Sequence, residues 1–190
     1  YASQDPVKLA ASFYDGIGLN VDAILAKSDL YEKPGKNQHA FCTDIDRAGD
    51  VRTLDNIRPD SYWMNTILHE LGHGVYSYYN DRTLPFTLRD AAHIFTTEAI
   101  ANFFGRLSKS PQWMYRMGII SETEAENITE NCHKSLRLEM LVFSRWAQVM
   151  YRFEKSMYED PGQDLNKLWW DLVEKYQMIV KPEGRNMPDW

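Results

Sequence analysis

The chain has 190 residues, of which 44% are hydrophobic and 25% are charged, and its formal net charge is −6. This length is typical of one domain with a substantial core, and the 13% of aromatic residues is too high for a disordered chain. An acidic chain without a Lys/Arg cluster has no electrostatic footprint for nucleic acid, and no apolar stretch is long enough to span a bilayer.

The first part of the chain predicts two short helices, a polar loop and a β-hairpin, because Pro, Gly and Asp separate its short apolar runs. In chain order these elements are a helix from Asp5 through Ala11, a helix from Val21 to Lys27, a loop over residues 28–39, and paired strands at 40–44 and 51–54.

The remainder of the chain is predicted to be helical, so the predicted fold class is mainly α with a small β-hairpin. The helices run from Asp60 to about Tyr79, from a cap at Asp90 to about Leu107, from the capping box Ser121–Glu124 toward Tyr158, and from Asp164 through Ile179. In the first of these, the apolar spacing predicts one buried face, made of Met64, Leu68, Leu71 and Val75.

A metal-binding motif, His69-Glu70-Leu71-Gly72-His73, lies in the middle of the helix that begins near Asp60. Side chains four residues apart share one helix face, so both imidazoles can bind one ion. Glu70 is rotated from His69 by about 100°, which lets it reach a water at the ion without ligating the ion itself. The motif therefore predicts a metal site with Glu70 as the general base.

A third ligand is required, because zinc in a catalytic site takes three protein ligands and leaves a fourth position for water. Glu98 follows His73 by 25 residues and lies on the next predicted helix. It is an acid in an otherwise apolar run, where an unpaired charge is costly. We therefore predict that His69, His73 and Glu98 bind Zn²⁺. His93 and Asp90 are the alternatives to Glu98, and His93 is the better of them, although its position one turn earlier places it near the rim.

A purely structural helix is the competing interpretation of the motif, since H-E-x-x-H arises by chance in about one chain in a hundred of this length. Gly72 and Gly74 argue against it, because each glycine costs a helix about 1 kcal/mol relative to alanine. We expect both glycines to permit the close approach of a neighbouring element to the turn that carries the histidines.

Three stretches of the chain resemble the angiotensin-converting-enzyme family of peptidyl dipeptidases, which are gluzincins. These stretches are Asp50-Val51-Arg52 with the His69–His73 motif, Leu84–Arg89 leading into Glu98-Ala99-Ile100, and Lys167–Trp170 running to Val180-Lys181-Pro182. The thimet oligopeptidase and oligopeptidase F family is the next nearest. The resemblance implies a zincin-like, mainly helical core with a small sheet beside the zinc helix, and zinc-dependent hydrolysis of peptide bonds in oligopeptides, as a peptidyl dipeptidase or an oligopeptidase.

The resemblance also implies that an edge strand pairs with an extended peptide substrate by main-chain hydrogen bonds. Ala40 and Phe41 occupy the matching position, and a hairpin that only covers the core is an equally good interpretation of these two residues. Asn102 stands where the family often carries an Asp that accepts a hydrogen bond from a zinc-binding histidine. Its amide oxygen can still accept that bond, but it lacks the charge that raises ligand basicity.

In the family, the Tyr and His that stabilise the oxyanion follow the stretch that resembles Lys167 to Pro182, whereas this chain ends at Trp190. Because the chain also begins at Tyr1, we expect residues 1–190 to be a single domain that is a partial catalytic domain, cut at both ends. Alone, it is expected to be weakly active or inactive.

An inactive, zinc-free relative that acts as a binding module is the alternative function, and the presence of all three ligands and the base argues against it. Cys42 and Cys132 are either free thiols or one disulfide, and their spacing is not that of a metal motif. The oligomeric state and the compartment stay open, with a secreted or periplasmic parent as one option.

Overall fold

A computed structural model describes residues 1–190, which divide into two compact units, Tyr1–Thr129 and Glu130–Trp190. The α-helices are α1 (Pro6–Gly16), α2 (Asp22–Leu25), α3 (Ser61–Tyr78), α4 (Ile94–Gly105), α5 (Pro111–Arg116), α6 (Glu122–Glu159) and α7 (Leu165–Gln177), and the strands are β1 (Phe41–Asp44) and β2 (Val51–Leu54). Short 3₁₀ turns at Phe86–Leu88 and Arg106–Lys109 flank α4. The predicted fold class, mainly α with a small hairpin, is confirmed. The single domain over residues 1–190 stays a prediction.

The hairpin pairs β1 with β2 in antiparallel register, from Phe41 opposite Leu54 to Asp44 opposite Val51. Its turn is held by the Asp46 carboxylate, which accepts hydrogen bonds from the Ala48 and Asp50 backbone N–H groups at 2.8 and 3.1 Å. Because the sheet has only these two strands, β1 keeps one edge without a strand partner.

Helix α3 begins where the sequence predicts, since the Asp60 carboxylate accepts a hydrogen bond from the Trp63 N–H at 2.8 Å. The predicted face of α3 is confirmed, because every member is buried: Met64, Leu68, Leu71 and Val75. Tyr14 of α1, which is fully buried, donates a hydrogen bond of 2.6 Å from its hydroxyl to the Leu68 carbonyl. These contacts fix α3 at the centre of the first unit.

Helix α4 begins later than predicted, at Ile94, and Asp90 as its cap is wrong. The cap is His93, whose Nδ1 accepts a hydrogen bond from the Phe95 N–H at 3.1 Å. The carboxylate of Asp90 instead pairs with Arg47 at 2.9 Å and accepts a hydrogen bond from the adjacent backbone N–H. An ion pair across the hairpin turn therefore outcompetes a cap at this position.

Small residues let α4 pack closely on α3, and the buried residues of α4 are Ala101 and Gly105. A β-carbon added at Gly72 would lie 2.9 Å from the Ala101 Cα, and one added at Gly105 would lie 3.1 Å from the His69 Cβ. The expectation that Gly72 permits close approach is confirmed. Gly74 faces α2 in the same way, with the Ile24 Cδ1 at 3.2 Å from its added β-carbon.

The C-terminal helices follow the predicted punctuation closely. At the start of α6, the Glu124 carboxylate accepts a hydrogen bond from the Ser121 N–H at 2.8 Å, which confirms the capping box. Helix α7 ends at Gln177, two residues before the predicted end, because Met178 takes a left-handed conformation with φ 59°. In the second unit, Phe153 of α6 packs edge-on against Trp169 of α7 with ring centroids 5.3 Å apart. No helix combines the length and the apolar character that crossing a membrane requires.

Candidate functional site

Helices α3 and α4 bring three potential ligands together. The Nε2 atoms of His69 and His73 are 3.2 Å apart. The Glu98 carboxylate lies 3.3 Å from the His73 Nε2 and 3.6 Å from the His69 Nε2. The two histidines share one face of α3 because they are four residues apart. Glu98 reaches them because Gly72 and Ala101 allow α4 to lie against that face.

These separations fit a tetrahedral zinc ion. Zinc binds imidazole nitrogen and carboxylate oxygen at about 2.0–2.1 Å, so two ligand atoms at tetrahedral corners are about 3.3–3.4 Å apart. The 3.2 Å between the two Nε2 atoms and the 3.3 Å from the His73 Nε2 to the Glu98 Oε1 match that value, while the 3.6 Å from the His69 Nε2 runs to the other oxygen of the same carboxylate, Oε2. Two imidazole nitrogens and one carboxylate oxygen, with a fourth corner left for water, are also the donor set of catalytic zinc sites. The geometry and the chemistry of the three residues both fit the ion.

The electrostatics of the histidines favour the form that binds metal. Burial lowers the pKa of His69, and the neighbouring His73 lowers it further. Burial likewise lowers the pKa of His73, while the nearby Glu98 carboxylate opposes the shift at both histidines. Neutral imidazole is the ligand form, so lowered pKa values keep both lone pairs available near neutral pH.

Glu70 lies beside His69 on α3 and is only 7% exposed. Burial raises the pKa of Glu70 to about 8, and the charges of Asp55 and Glu98 add to this shift. A cation held by the three ligands would oppose the shift, because a positive charge favours the carboxylate. Glu70 also lines the same cleft as the ligands, so it can contact a molecule that binds there.

The cleft has a volume of about 770 Å³ and runs between β1 on one side and the beginning of α4 on the other. Ala40 and Phe41, the predicted substrate edge, both line it, and Phe41 is 44% exposed. Strand β1 lines the cleft over its full length, to Asp44. The strand without a second partner is therefore the one that faces the candidate ligands.

Comparison with known proteins shows which family the chain belongs to. The model of the M2 peptidase family, described as angiotensin-converting enzyme, matches residues 1–190. The chain belongs to this family. It is 25% identical over 188 residues to the angiotensin-converting enzyme of Rattus norvegicus, an alignment that covers 94% of the chain and 14% of that relative. It therefore spans about a seventh of the length of the curated relatives it matches.

Two further similarities are informative for function and fold. A Caenorhabditis elegans protein described as an inactive angiotensin-converting enzyme-related protein is 29% identical over 114 residues, which cover 57% of this chain and 12% of that protein. A solved chain from Bacillus anthracis, described as an oligoendopeptidase F, superimposes with a TM-score of 0.70 at 18% identity, over 93% of this chain and 32% of that one. The angiotensin-converting-enzyme family named from the sequence is thus confirmed, and the oligoendopeptidase F chain shares the fold.

The structure separates Glu98 from its two rivals. His93 and Asp90 line the cleft, but neither belongs to the group of ligand atoms that lie within 4.8 Å of one another, which contains only His69, His73 and Glu98. The Nδ1 of His93 is occupied by its cap, and Asp90 pairs with Arg47. This M2 chain thus places its acidic ligand candidate on α4, in the interior of the helix.

Asn102 lies one turn after Glu98 and is exposed. Its amide Nδ2 donates a hydrogen bond of 2.8 Å to the Glu98 carbonyl of its own helix. That bond orients the amide along α4, and the role of Asn102 as a partner of a zinc histidine stays a prediction. Cys42 and Cys132 are both free thiols. Burial raises the pKa of Cys42 to about 12, so its thiol stays protonated.

Sequence reasoning missed two features of the site. Asp55, directly after β2, is fully buried with neither carboxylate oxygen hydrogen-bonded, and burial raises its pKa to about 6. Arg47 and Arg89 both line the cleft although they are far apart in sequence. A charged residue directly after a strand that precedes the motif is a weak signal for the first feature. The second depends on the folding of the loop before α4, which no local pattern predicts.

Proposed function

We propose that this chain is the metal-binding core of a zinc-dependent peptidase that hydrolyses peptide bonds in oligopeptides. The observation that carries the proposal is the convergence of His69, His73 and Glu98 at separations of a tetrahedral zinc site. Membership of the M2 peptidase family supports the same chemistry. The whole activity belongs to a longer protein in the relatives, since the chain covers 14% of the rat enzyme.

The chain's own residues have separate roles in this chemistry. A bound zinc ion supplies a Lewis acid, which lowers the pKa of water from 15.7 toward about 7 and polarises the scissile carbonyl. His69, His73 and Glu98 would hold the ion. Glu70 accepts the proton of the attacking water at a carboxylate oxygen and passes it to the leaving amine nitrogen. Burial raises the pKa of Glu70 in the metal-free chain, and a bound cation would lower it toward the ionised carboxylate that accepts a proton.

Strand β1 is the proposed substrate platform. An extended peptide can add to the unpaired edge of β1 by main-chain hydrogen bonds, which would lay its scissile bond along the cleft beside the ligands. Ala40 and Phe41 lie at the start of that edge. Main-chain pairing gives affinity without selecting particular side chains, so selectivity must come from the cleft walls.

Zinc content and turnover test the proposal together. The purified chain, loaded with zinc and dialysed, is expected to hold one equivalent by elemental analysis. The His73→Ala variant should lose the metal, whereas Glu70→Gln should keep it and lose peptide hydrolysis. Turnover by the unmodified 190-residue chain is expected to be slow, because the chain covers only 14% of the rat relative. Unchanged hydrolysis by Glu70→Gln would show that Glu70 is not the base.

A catalytically incompetent metal-binding module is the second candidate, and the relative from Caenorhabditis elegans that is described as inactive favours it. The two candidates differ in turnover and not in zinc content. Zinc-loaded chain that binds peptides but releases no new amino termini over many hours identifies the module. Metal content that is unchanged by His73→Ala would contradict both candidates and leave only a structural helix.

A further inference from the structure

One of the two arginines in the cleft has no opposite charge beside it. Arg89 is half-buried and lines the same cleft as the candidate zinc ligands. Its Nε donates a hydrogen bond of 2.8 Å to the Leu84 carbonyl, and no carboxylate lies within ion-pair distance of its guanidinium. Arginine is seldom withdrawn from water without a partner. The two Nη groups of Arg89 can therefore donate hydrogen bonds to an acceptor on a molecule that binds in the cleft.

The other arginine of the cleft wall is already engaged. Arg47 has its guanidinium 5.0 Å from the Phe86 ring centroid and pairs with Asp90 at 2.9 Å. Asp44 also lines the cleft, where its buried Oδ1 has no hydrogen-bond partner and burial raises the pKa of its carboxyl. Glu98 belongs to the candidate metal centre, and Glu70 lies beside it. Arg89 is therefore the one arginine of the cleft wall without a carboxylate partner.

The position of Arg89 in the fold determines how far from the candidate zinc ligands it can contact a bound peptide. The Asn80 side chain donates a hydrogen bond of 2.7 Å to the Arg89 carbonyl, which ties Arg89 to the C-terminal end of α3. Helix α3 continues for five residues beyond His73, to Tyr78, and a helix rises 1.5 Å per residue, so its C-terminal end lies about 7.5 Å along the axis from His73. An extended peptide advances about 3.3 Å per residue, so about two to three residues span that distance.

We propose that Arg89 binds a carboxylate on the peptide, about two to four residues from the scissile bond, and so makes the cleft selective for acidic oligopeptides. This inference rests on the proposed peptidase function and names its substrate class. The guanidinium fork suits a carboxylate because its parallel N–H groups match the two oxygens. The Nε bond to Leu84 holds the fork in place, so little of its side-chain freedom remains to be lost on binding.

Peptide binding to the zinc-loaded Glu70→Gln chain tests the proposal, because this variant holds substrate without cleaving it. The probes are fluorescent octapeptides, blocked at both ends, with one Asp moved through a neutral frame, and matched peptides with Asn or Lys at the same position. A further probe lacks Asp but has a free C-terminal carboxylate. We expect one Asp position to bind about five- to tenfold more tightly than its Asn match, and the difference to shrink as salt is raised.

Two arginine variants in the same background complete the design. Arg89→Gln should abolish the preference for Asp while the affinity for the neutral peptide and the zinc content stay unchanged. The double variant Arg47→Gln/Asp90→Asn is the matched control, and it should keep the preference because it removes both charges of one ion pair together. If Arg89→Gln folds poorly, the test is the salt dependence of the affinity difference between the Asp and Asn peptides, measured on the chain that retains Arg89. A difference that does not fall as salt is raised contradicts an ionic contact.

The outcomes separate the two proposals. Neutral peptides that bind with no gain from Asp, or a gain that survives in Arg89→Gln, overturn the role of Arg89 and leave the peptidase proposal standing. A gain that only the free C-terminus produces, and that Arg89→Gln removes, assigns the residue to the terminal carboxylate in place of an acidic side chain. Failure of every peptide to bind, with zinc in place, counts against the peptidase proposal itself and takes this inference with it.

Discussion

Substituting Gly72 by alanine tests how closely the metal centre depends on the contact between α3 and α4. The added β-carbon would lie 2.9 Å from the Ala101 Cα, which is backbone and cannot rotate away. Carbon atoms prefer to be about 3.5–4.0 Å apart, so the helices must separate locally by about 0.6 Å or more. Glu98 moves with α4, and metal sites tolerate deviations of only about 0.2 Å.

The stability change expected for Gly72→Ala is small, because two opposing effects partly cancel. Overpacking a core costs about 1–3 kcal/mol, and replacing glycine in a helix returns about 1 kcal/mol. The net destabilisation of the metal-free chain is therefore about 0–2 kcal/mol. Zinc affinity should fall at least tenfold, because the third ligand is displaced from the His69 and His73 pair.

Gly74→Ala is the matched control, two residues along the same helix. Its β-carbon would meet the Ile24 Cδ1 at 3.2 Å, which is the end of a flexible side chain that can give way. We expect zinc affinity within about twofold of the unmodified chain and a gain in stability of up to about 1 kcal/mol. Competition with a chromophoric chelator measures the affinity, and urea unfolding of metal-free protein measures the stability. Equal zinc binding by the two variants would refute the dependence of the site on this contact.

Three other substitutions test single features of the fold and site. Burial raises the pKa of Asp55 from 3.8 to about 6, so its protonated form is favoured in the folded chain, and stability is lost as pH rises from about 4 to 6. The loss in the free energy of unfolding is about 3 kcal/mol, and Asp55→Asn should not show it. If urea unfolding in chelator gives the same pH dependence for Asp55→Asn and the unmodified chain, this prediction is contradicted. Tyr14→Phe removes the 2.6 Å hydrogen bond to the Leu68 carbonyl and should cost about 1 kcal/mol in the same assay, whereas no change would show that the bond is not stabilising. Asn102→Asp should tighten zinc binding about tenfold, because a carboxylate raises the basicity of a histidine ligand; weaker binding in the chelator competition, with Asn102→Ala as control, would count against a role beside a histidine.

The sequence predicted those parts of the fold and site whose determinants are local. The i, i+4 spacing of His69 and His73 and the period of the buried face are properties of one helix, and both appear as predicted. The predicted start of α4 was wrong because Asp90 and His93 are both able to cap a helix. Asp90 pairs instead with Arg47, which lies 43 positions away in the sequence.

Long-range packing was the other limit. The sequence indicated that Gly72 allows an element to approach, but not that the element presents Ala101 and Gly105, because larger apolar residues on α4 were the more prominent pattern. Phe95 and Phe103 are in fact 66% and 58% exposed. The short helix α5 was also missed, although Ser110-Pro111 carries an N-terminal signal, with Pro at the first turn and the Ser110 hydroxyl accepting from the Trp113 N–H.

The division of the three ligands between two helices has a consequence for assembly. His69 and His73 are preset by α3 alone, so an ion could be captured weakly by that helix before α4 has docked. Glu98 can bind the ion only after α4 has come into contact with α3, so ion binding and the contact between the helices stabilise each other. Metal and tertiary contact would thus reinforce each other. When a chelator keeps the chain metal-free, amide hydrogens of α4 should exchange sooner than those of α3, because α4 is then no longer linked to the histidines through the ion.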